Sequence, residues 1–207
     1  SRLKRTLAIT VLMSSLVLPN DSSAQMEPPS EPPVEWTATA IDYSNVHYPW
    51  PVEYLDVELY GLDLRMAYMD VEPTGVPNGR TVIVFHGMNF FAAPYEPMIR
   101  ALTEAGFRTI AIDRLGYGRS SKPDIHYNLH IPARNTKALL DHLGIERAAV
   151  VGHSMGGMVA TRFASTYPAT TTHVVMVNQI GLTDSRPGRA WIDPYDAYRS
   201  ALSTTYQ

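Results

Sequence analysis

One serine in the sequence stands where it could act as a nucleophile. Ser154 lies in Gly-His-Ser-Met-Gly, residues 152–156, directly after the apolar run 148–151. This Gly-x-Ser-x-Gly spacing is typical of a strand, a very tight turn and a helix, with Gly152 and Gly156 where strand and helix pass closely. Such a turn lifts the hydroxyl clear of its neighbours, so the pattern predicts nucleophilic catalysis by Ser154. The alternative is an ordinary strand-to-helix turn with a capping serine.

Composition narrows the class of protein. The chain has 207 residues, enough for one domain with a full core, and a formal net charge of -3. That charge, without any basic run, argues against a nucleic-acid partner. The sequence contains no cysteine, which excludes a thiol nucleophile, a disulfide framework and thiolate metal sites.

The N-terminus has the features of an export signal. Three of the first five residues are basic, an apolar run covers residues 7–18, and small residues occupy positions 22 to 24. The apolar run is too short to span a membrane, which takes about 20 residues. We therefore predict a signal peptide over residues 1–24, an exported (periplasmic or secreted) protein, and no stable membrane span after its removal. An uncleaved amphipathic anchor is the alternative.

The rest of the chain divides into three parts. Residues 25–52 contain six prolines and little periodicity, which predicts an extended leader. Residues 53–182 carry the regular pattern of a folded core. Residues 183–207, rich in aromatic side chains, are predicted to begin a helical cap over the pocket.

The core pattern predicts an α/β fold. Alternation over residues 53–70 around Gly61 predicts two antiparallel strands. From residue 81 onward, buried β-branched runs alternate with helical segments, which favours a mostly parallel, doubly wound sheet. The predicted later strands are 81–85, 108–112, 148–151 and 173–177. The last of these is expected to be a buried apolar strand and also the edge strand of the sheet. The predicted helices are 95–104, 130–143 and 155–167.

Three motifs, in this order, make the family resemblance specific. His86-Gly87 follows the first parallel strand, the Asp-Arg-Leu-Gly-Tyr-Gly-Arg-Ser-Ser-Lys-Pro segment 113–123 follows the next, and the Ser154 turn follows the third. Together they resemble the α/β-hydrolase superfamily, and the chain is similar to the N-terminal portion of its capped serine ester hydrolases. The resemblance covers about residues 53–182. Relatives that open epoxides or remove halide carry aspartate at the nucleophile position, so Ser154 argues against those reactions.

An attacked carbonyl needs amide donors for the negative charge that develops on its oxygen. One donor is predicted to be the backbone N–H of Met155, at the N-terminus of the helix after Ser154. By resemblance to the family's His-Gly-x loop, the second is the N–H of Met88, and His86 is a structural residue of that loop. Asp113 is expected to pin the glycine-containing loop that follows it.

The catalytic base is the part the sequence does not supply. The family's triad runs serine, acid, histidine. Only His173 follows Ser154, and it is expected to be structural. His153 is expected to leave the turn on the side away from Ser154. Asp184 is a weak candidate for the acid, which more often comes one strand later. We therefore expect the histidine and the acid to lie beyond Gln207, and the chain by itself to be nearly inactive.

The resulting hypothesis is a serine hydrolase that cleaves carboxylic esters or related acyl bonds through an acyl-enzyme. Its partner would be a small acyl substrate, and the mechanism requires no metal and no organic cofactor. The alternatives are an aminopeptidase, thioesterase, acyltransferase or perhydrolase using the same site. A non-catalytic binding module of the same fold is a further alternative.

Overall fold

The structure is a computed structural model that describes residues 39–182 and, beyond them, residues 193, 195, 196 and 199. The predicted signal peptide, the first part of the predicted leader, Asp184 and nearly all of the predicted cap lie outside the described residues. None of the helices within the described part is long and apolar enough to cross a bilayer.

The described core is a six-stranded mixed sheet with helices on both faces. Its strands, in the spatial order β1-β2-β4-β3-β5-β6, have the following bounds: β1 Glu53–Leu59, β2 Leu62–Val71, β3 Thr81–Phe85, β4 Arg108–Ile112, β5 Ala148–His153 and β6 Thr171–Val177. The helices are α1 Glu96–Glu104, preceded by a 3₁₀ turn at Ala93–Tyr95, α2 His130–His142 and α3 Met155–Thr166. β1, β2 and β4 pair antiparallel, whereas β4, β3, β5 and β6 pair in parallel. The predicted α/β-hydrolase sheet, with its antiparallel N-terminal pair, is confirmed.

The first hairpin turns where the sequence places its glycine. Tyr60 and Gly61 both have positive φ, 54° and 75°, the conformation that lets a two-residue turn follow the twist of the strands. Glycine adopts this conformation without steric cost. The turn sets Leu59 opposite Leu62 and carries the register through to Glu53 and Tyr68.

Two apolar cores lie on opposite faces of the sheet. Alternate residues of β3 explain the division: Ile83 and Phe85 pack with α2 and α3, whereas Val84 packs with Ile99 of α1. Because β3 is covered on both faces, it is continuously apolar rather than alternating. The central strands are therefore rigid supports for the loops at their carboxyl ends.

Residues 39–52, from the predicted leader, pack against the α1 face. Tyr48 is 8% exposed and its hydroxyl donates to Asp113 Oδ2 at 2.6 Å. Arg119 donates to the carbonyl oxygens of Tyr43 and Val46, at 3.3 and 2.8 Å. These contacts tie the segment to the loop that follows β4.

β6 departs from the sequence prediction. Its apolar run was expected to be buried, but Val174, Val175 and Met176 are 38%, 47% and 48% exposed. The prediction of burial is wrong because β6 is the outer strand of the described sheet and pairs only with β5. An apolar run alone does not distinguish a central strand from an edge strand.

Candidate active site

Ser154 occupies a strained turn between β5 and α3. Its φ and ψ are 53° and -119°, outside the conformations that a non-glycine residue ordinarily adopts. Although Ser154 is at the N-cap position, its side chain makes no capping hydrogen bond to α3. A capping role is therefore not what the serine does here, and its hydroxyl stands apart from the helix.

The glycines on either side of Ser154 allow the close approach of three backbones. A Cβ on Gly152 would overlap the carbonyl group of Gly156, and a Cβ on Gly156 would overlap the carbonyl oxygen of Phe85. α3 thus starts directly against β5 and β3. This packing holds the serine turn at the carboxyl edge of the sheet.

Parallel pairing brings three loops together at that edge. Phe85 is in register with Gly152 of β5 and with Ile112 of β4. The residues that come next in the chain after Phe85, Ile112 and Gly152 are therefore neighbours: His86-Gly87, Asp113-Arg114 and His153-Ser154. A Cβ on Gly87 would lie 3.4 Å from Ser154 Cβ, so the His-Gly loop lies directly against the turn at Ser154, which we call the nucleophile turn after the predicted role of that serine.

The Gly87–Met88 peptide is anchored through its carbonyl group. Gly87 O accepts from Arg114 Nη2 at 3.0 Å and lies 2.7 Å from His86 Nδ1. The peptide is trans, so its N–H, which belongs to Met88, points away from these two anchors. The anchors therefore determine the direction of the Met88 N–H.

The tautomer of His86 follows from its contacts. The backbone N–H of Arg114 donates to His86 Nε2 at 3.2 Å, so Nε2 is unprotonated and Nδ1 carries the proton that it donates to Gly87 O. Burial, and then the Arg114 charge, lower the pKa of His86 to about 3. A neutral, buried imidazole with both nitrogens bonded is a structural residue of the loop.

Tyr95 joins the His-Gly loop to the nucleophile turn. Its hydroxyl accepts from Gly87 N–H at 2.9 Å and lies 2.8 Å from His153 Nδ1. Since the oxygen accepts from Gly87, its proton is available for Nδ1. The His153 side chain is therefore bonded to Tyr95, against Phe90, with ring centroids 6.2 Å apart.

Two backbone N–H groups next to Ser154 have no acceptor within residues 39–182. The Met88 N–H follows the anchored peptide, and the Met155 N–H is in the first turn of α3, where no intrahelical acceptor exists. Both belong to the predicted pair of donors. Free N–H groups of this kind can donate to an oxygen that carries negative charge.

Asp113 anchors the loop after β4 rather than facing the nucleophile. Its carboxylate accepts from the N–H of Ala92 at 2.7 Å, the N–H of Arg119 at 2.8 Å and the hydroxyl of Tyr48. Gly118 approaches so closely that a Cβ there would overlap this carboxylate. Burial raises the pKa of Asp113 despite these bonds.

None of the described residues hydrogen-bonds to Ser154 Oγ. All seven histidines of the sequence lie within residues 39–182, so none of them is placed as its base. His173 is exposed in β6, four residues before Val177, whose carbonyl accepts from Ser154 N–H. The predicted acid, Asp184, is not among the described residues.

A cavity of about 580 Å³ opens beside the start of α3. We call it the Met155 cavity, after the residue that joins it to the nucleophile turn. Its wall includes apolar residues of β2 and β4, the loop 114–117 and the first half of α2. The volume is in the range of small-molecule sites, about 300–1,000 Å³.

Sequence reasoning missed the roles of Arg114 and Tyr95. Arg114 could have been found from topology, because it comes two residues after β4 as Gly87 comes two residues after β3, and adjacent parallel strands end together. Tyr95 carries no such signal. It reaches Gly87 and His153 only because the 3₁₀ turn before α1 packs against the His-Gly loop.

The sheet, the strained serine turn and the loops around it have the arrangement of the alpha/beta hydrolase fold. The sequence profile of the alpha/beta hydrolase fold family matches residues 80–207. The chain belongs to this family.

The chain is similar to proteins that are named as hydrolytic enzymes. The chain is 32% identical over 159 residues to epoxide hydrolase A of Mycobacterium tuberculosis, which covers 75% of this chain and 46% of that protein. It is 31% identical over 136 residues to a haloalkane dehalogenase of Mycolicibacterium paratuberculosis, covering 63% of this chain and 44% of that protein. A crystal structure of a probable hydrolytic enzyme from Pseudomonas aeruginosa PAO1 is 47% identical, with a TM-score of 0.71. The match covers 76% of this chain and 51% of the other. The chain thus spans about half the length of these relatives.

Proposed function

We propose that this chain carries the nucleophile and oxyanion site of a serine hydrolase that cleaves carboxylic esters or related acyl bonds. The observation that carries the proposal is the strained, uncapped Ser154 at the carboxyl edge of the sheet. The epoxide hydrolase and dehalogenase relatives support a hydrolase, and serine at this position favours acyl chemistry over their reactions.

The two free amides support the same assignment. In an acyl transfer the carbonyl oxygen becomes an oxyanion, which preorganised N–H groups stabilise more strongly than they stabilise the ground state. We assign these donors to Met88 and Met155. Arg114 and His86 hold the Gly87 carbonyl and so direct the Met88 N–H before substrate binds.

The proposed reaction has two steps. Ser154 Oγ bonds to the acyl carbon, its proton passes to a general base and then to the leaving alcohol, and an acyl-enzyme forms. Water then attacks the acyl carbon, which releases the carboxylic acid and restores the hydroxyl of Ser154. The base is not among the hydrogen-bond partners of Ser154 in the described residues.

Exposed apolar side chains lie around Ser154 and suit contact with an acyl chain. Met88 is 50% exposed and Phe90 is 47% exposed, both on the loop that lies against the serine turn. Ile180, whose N–H is 3.5 Å from Ser154 O, adds a third exposed apolar side chain. Exposed apolar groups close to the proposed nucleophile favour an apolar part of the substrate.

The test compares the complete protein that contains this chain with its Ser154→Ala variant. We expect a fluorophosphonate probe to label the parent protein and p-nitrophenyl butyrate to be hydrolysed. Ser154→Ala should abolish labelling and lower kcat by at least about 10³-fold, as loss of a nucleophile does in serine hydrolases.

The control is Ser165→Ala, an exposed serine on α3, which should leave both readouts unchanged. Labelling that persists in Ser154→Ala would contradict the proposal. A well-folded parent protein that neither labels nor hydrolyses ester would favour the binding-module alternative.

A further inference from the structure

The Met155 cavity has an unusual balance of charge. Two cationic side chains, Arg114 and Lys122, line it, and no aspartate or glutamate of the described residues does. The whole chain, in contrast, has more acidic than basic residues. The positive character is therefore local to this cavity.

Arg114 is a buried charge without a carboxylate partner. It is 4% exposed, and no ion pair with any described acid involves it. Its contacts are the Gly87 carbonyl, the neutral ring of His86 and the face of Tyr117, 4.8 Å from its centroid. Burial lowers the pKa of Arg114 to about 10, which still leaves it charged at neutral pH. Buried charges are ordinarily paired, so this one has unused capacity for an anion.

Asn135 supplies a second, independent observation. It lies on α2, is 1% exposed, and lines the same cavity. Neither its Nδ2 nor its Oδ1 has a hydrogen-bond partner within the described residues. Most buried polar groups are hydrogen-bonded, so an unpartnered carboxamide in a cavity wall marks a place for a polar ligand group.

Position relates the cavity to the nucleophile. Met155 directly follows Ser154 and lines the cavity, and Asn89, next to Met88, lines it from the His-Gly loop. The cavity therefore reaches the neighbours of both Ser154 and the proposed Met88 donor. The remaining wall is largely apolar, with Met66, Ile112 and Leu115 among its residues.

We propose that the Met155 cavity is a subsite for a carboxylate at the far end of the acyl chain, so that the preferred substrates are monoesters of dicarboxylic acids. The methylene chain contacts the apolar wall, Asn135 donates from Nδ2 to the carboxylate, and Arg114 supplies the opposite charge. This inference rests on the proposed function of Ser154.

The test uses two ligands of equal chain length, monomethyl adipate and the neutral methyl hexanoate. In the parent protein we expect kcat/KM for the acidic ester to exceed that for the neutral ester. Asn135→Asp, which places a negative charge in the wall, should lower this ratio by about tenfold or more, and Asn135→Leu should lower it less. A ratio that is unchanged in Asn135→Asp would overturn the proposal.

A binding measurement separates this proposal from the proposed function. Titration of the Ser154→Ala protein by calorimetry should show tighter binding of monomethyl adipate than of methyl hexanoate, with the difference lost in Ser154→Ala/Asn135→Asp. Lys137→Gln, a charge removed from the same helix outside the cavity, is the control and should keep the difference. Equal binding of the two esters would overturn the subsite even in an active enzyme. A difference in binding without any hydrolysis would instead count against the esterase assignment alone.

Discussion

Tyr95 connects two parts of the site that are far apart in the sequence. One hydroxyl serves Gly87 of the His-Gly loop and His153 of the nucleophile turn. Arg114 anchors the opposite side of the same glycine. The direction of the proposed Met88 donor is thus set by side chains that do not touch the substrate carbonyl.

This arrangement predicts the effect of Tyr95→Phe. Removal of the hydroxyl leaves the Gly87 N–H without its acceptor, so the loop loses one of its anchors. We expect kcat for a neutral ester to fall by about tenfold with little change in KM, because the loss affects the transition state. Steady-state kinetics on p-nitrophenyl butyrate give kcat and KM separately.

Tyr68→Phe is the matched control for Tyr95→Phe. The Tyr68 hydroxyl also makes a side-chain hydrogen bond, to Glu53 Oε2 at 3.1 Å, but it lies on β2, which β4 and β3 separate from β5 and the serine turn. The Tyr68→Phe variant should have a slightly altered Tm and an unchanged kcat. An equal loss of Tm in both variants with unchanged kcat in Tyr95→Phe would show that Tyr95 is only structural.

At the scale of the elements, α3 is packed against β5 and β3 with no room for a side chain. Gly156 lies where the helix crosses the Phe85 carbonyl, and Gly157 lies against Gln179 of the segment after β6. Backbone does not move aside as a flexible side chain does. Gly152 and Gly156 are therefore required by the packing of α3 as well as by the turn at Ser154.

Gly156→Ala should accordingly destabilise the protein. The added methyl overlaps the Phe85 carbonyl oxygen, and we expect the free energy of unfolding to fall by about 1–3 kcal/mol, the usual cost of overpacking. Urea denaturation followed by circular dichroism gives the value. Ser165→Ala, on the exposed side of α3, should change it by less than about 0.5 kcal/mol. A stability of Gly156→Ala equal to that of the parent would show that α3 can shift away from β3.

At the scale of the whole molecule, His86 makes stability depend on pH. Its pKa is lowered to about 3 in the folded state from 6.5, so between these values the unfolded chain binds a proton that the folded chain does not. The free energy of unfolding therefore falls as pH is lowered from 6.5 toward 3, by roughly 3 kcal/mol at pH 4, and is unaffected by His86 above pH 6.5.

Comparison with the His86→Gln variant isolates the contribution of His86 to the pH dependence of the free energy of unfolding. Asp113, whose pKa is raised by burial, contributes with the opposite sign, because its stabilising effect is lost as pH rises. Asp113 is present in both the parent protein and the His86→Gln variant, so the comparison between them concerns His86. Urea denaturation at pH 7 and pH 4 should show a smaller decrease for His86→Gln than for the parent. Equal decreases would mean that His86 becomes protonated without unfolding the loop.

Much of the fold could be predicted because its signals are local. The bounds of α2 and β4 and the hairpin at Gly61 follow from periodicity and turn chemistry. The burial of β6 was predicted wrongly, because its apolar run is the same whether a neighbouring strand covers it or not. The site shows the same division: a local motif predicts the turn at Ser154, whereas the contact of Arg114 with Gly87 depends on which strands are neighbours.

The sequence by itself determined the tight turn at Ser154 and the order of strands and helices, since each depends on neighbours within a few residues. Only the tertiary structure decided which groups meet. It placed Arg114, His86 and Tyr95 around one glycine, Gly87, and Asn135 on the wall of a cavity beside Met155. The physical reason is strand register: groups distant in sequence become neighbours when their parallel strands end at the same edge.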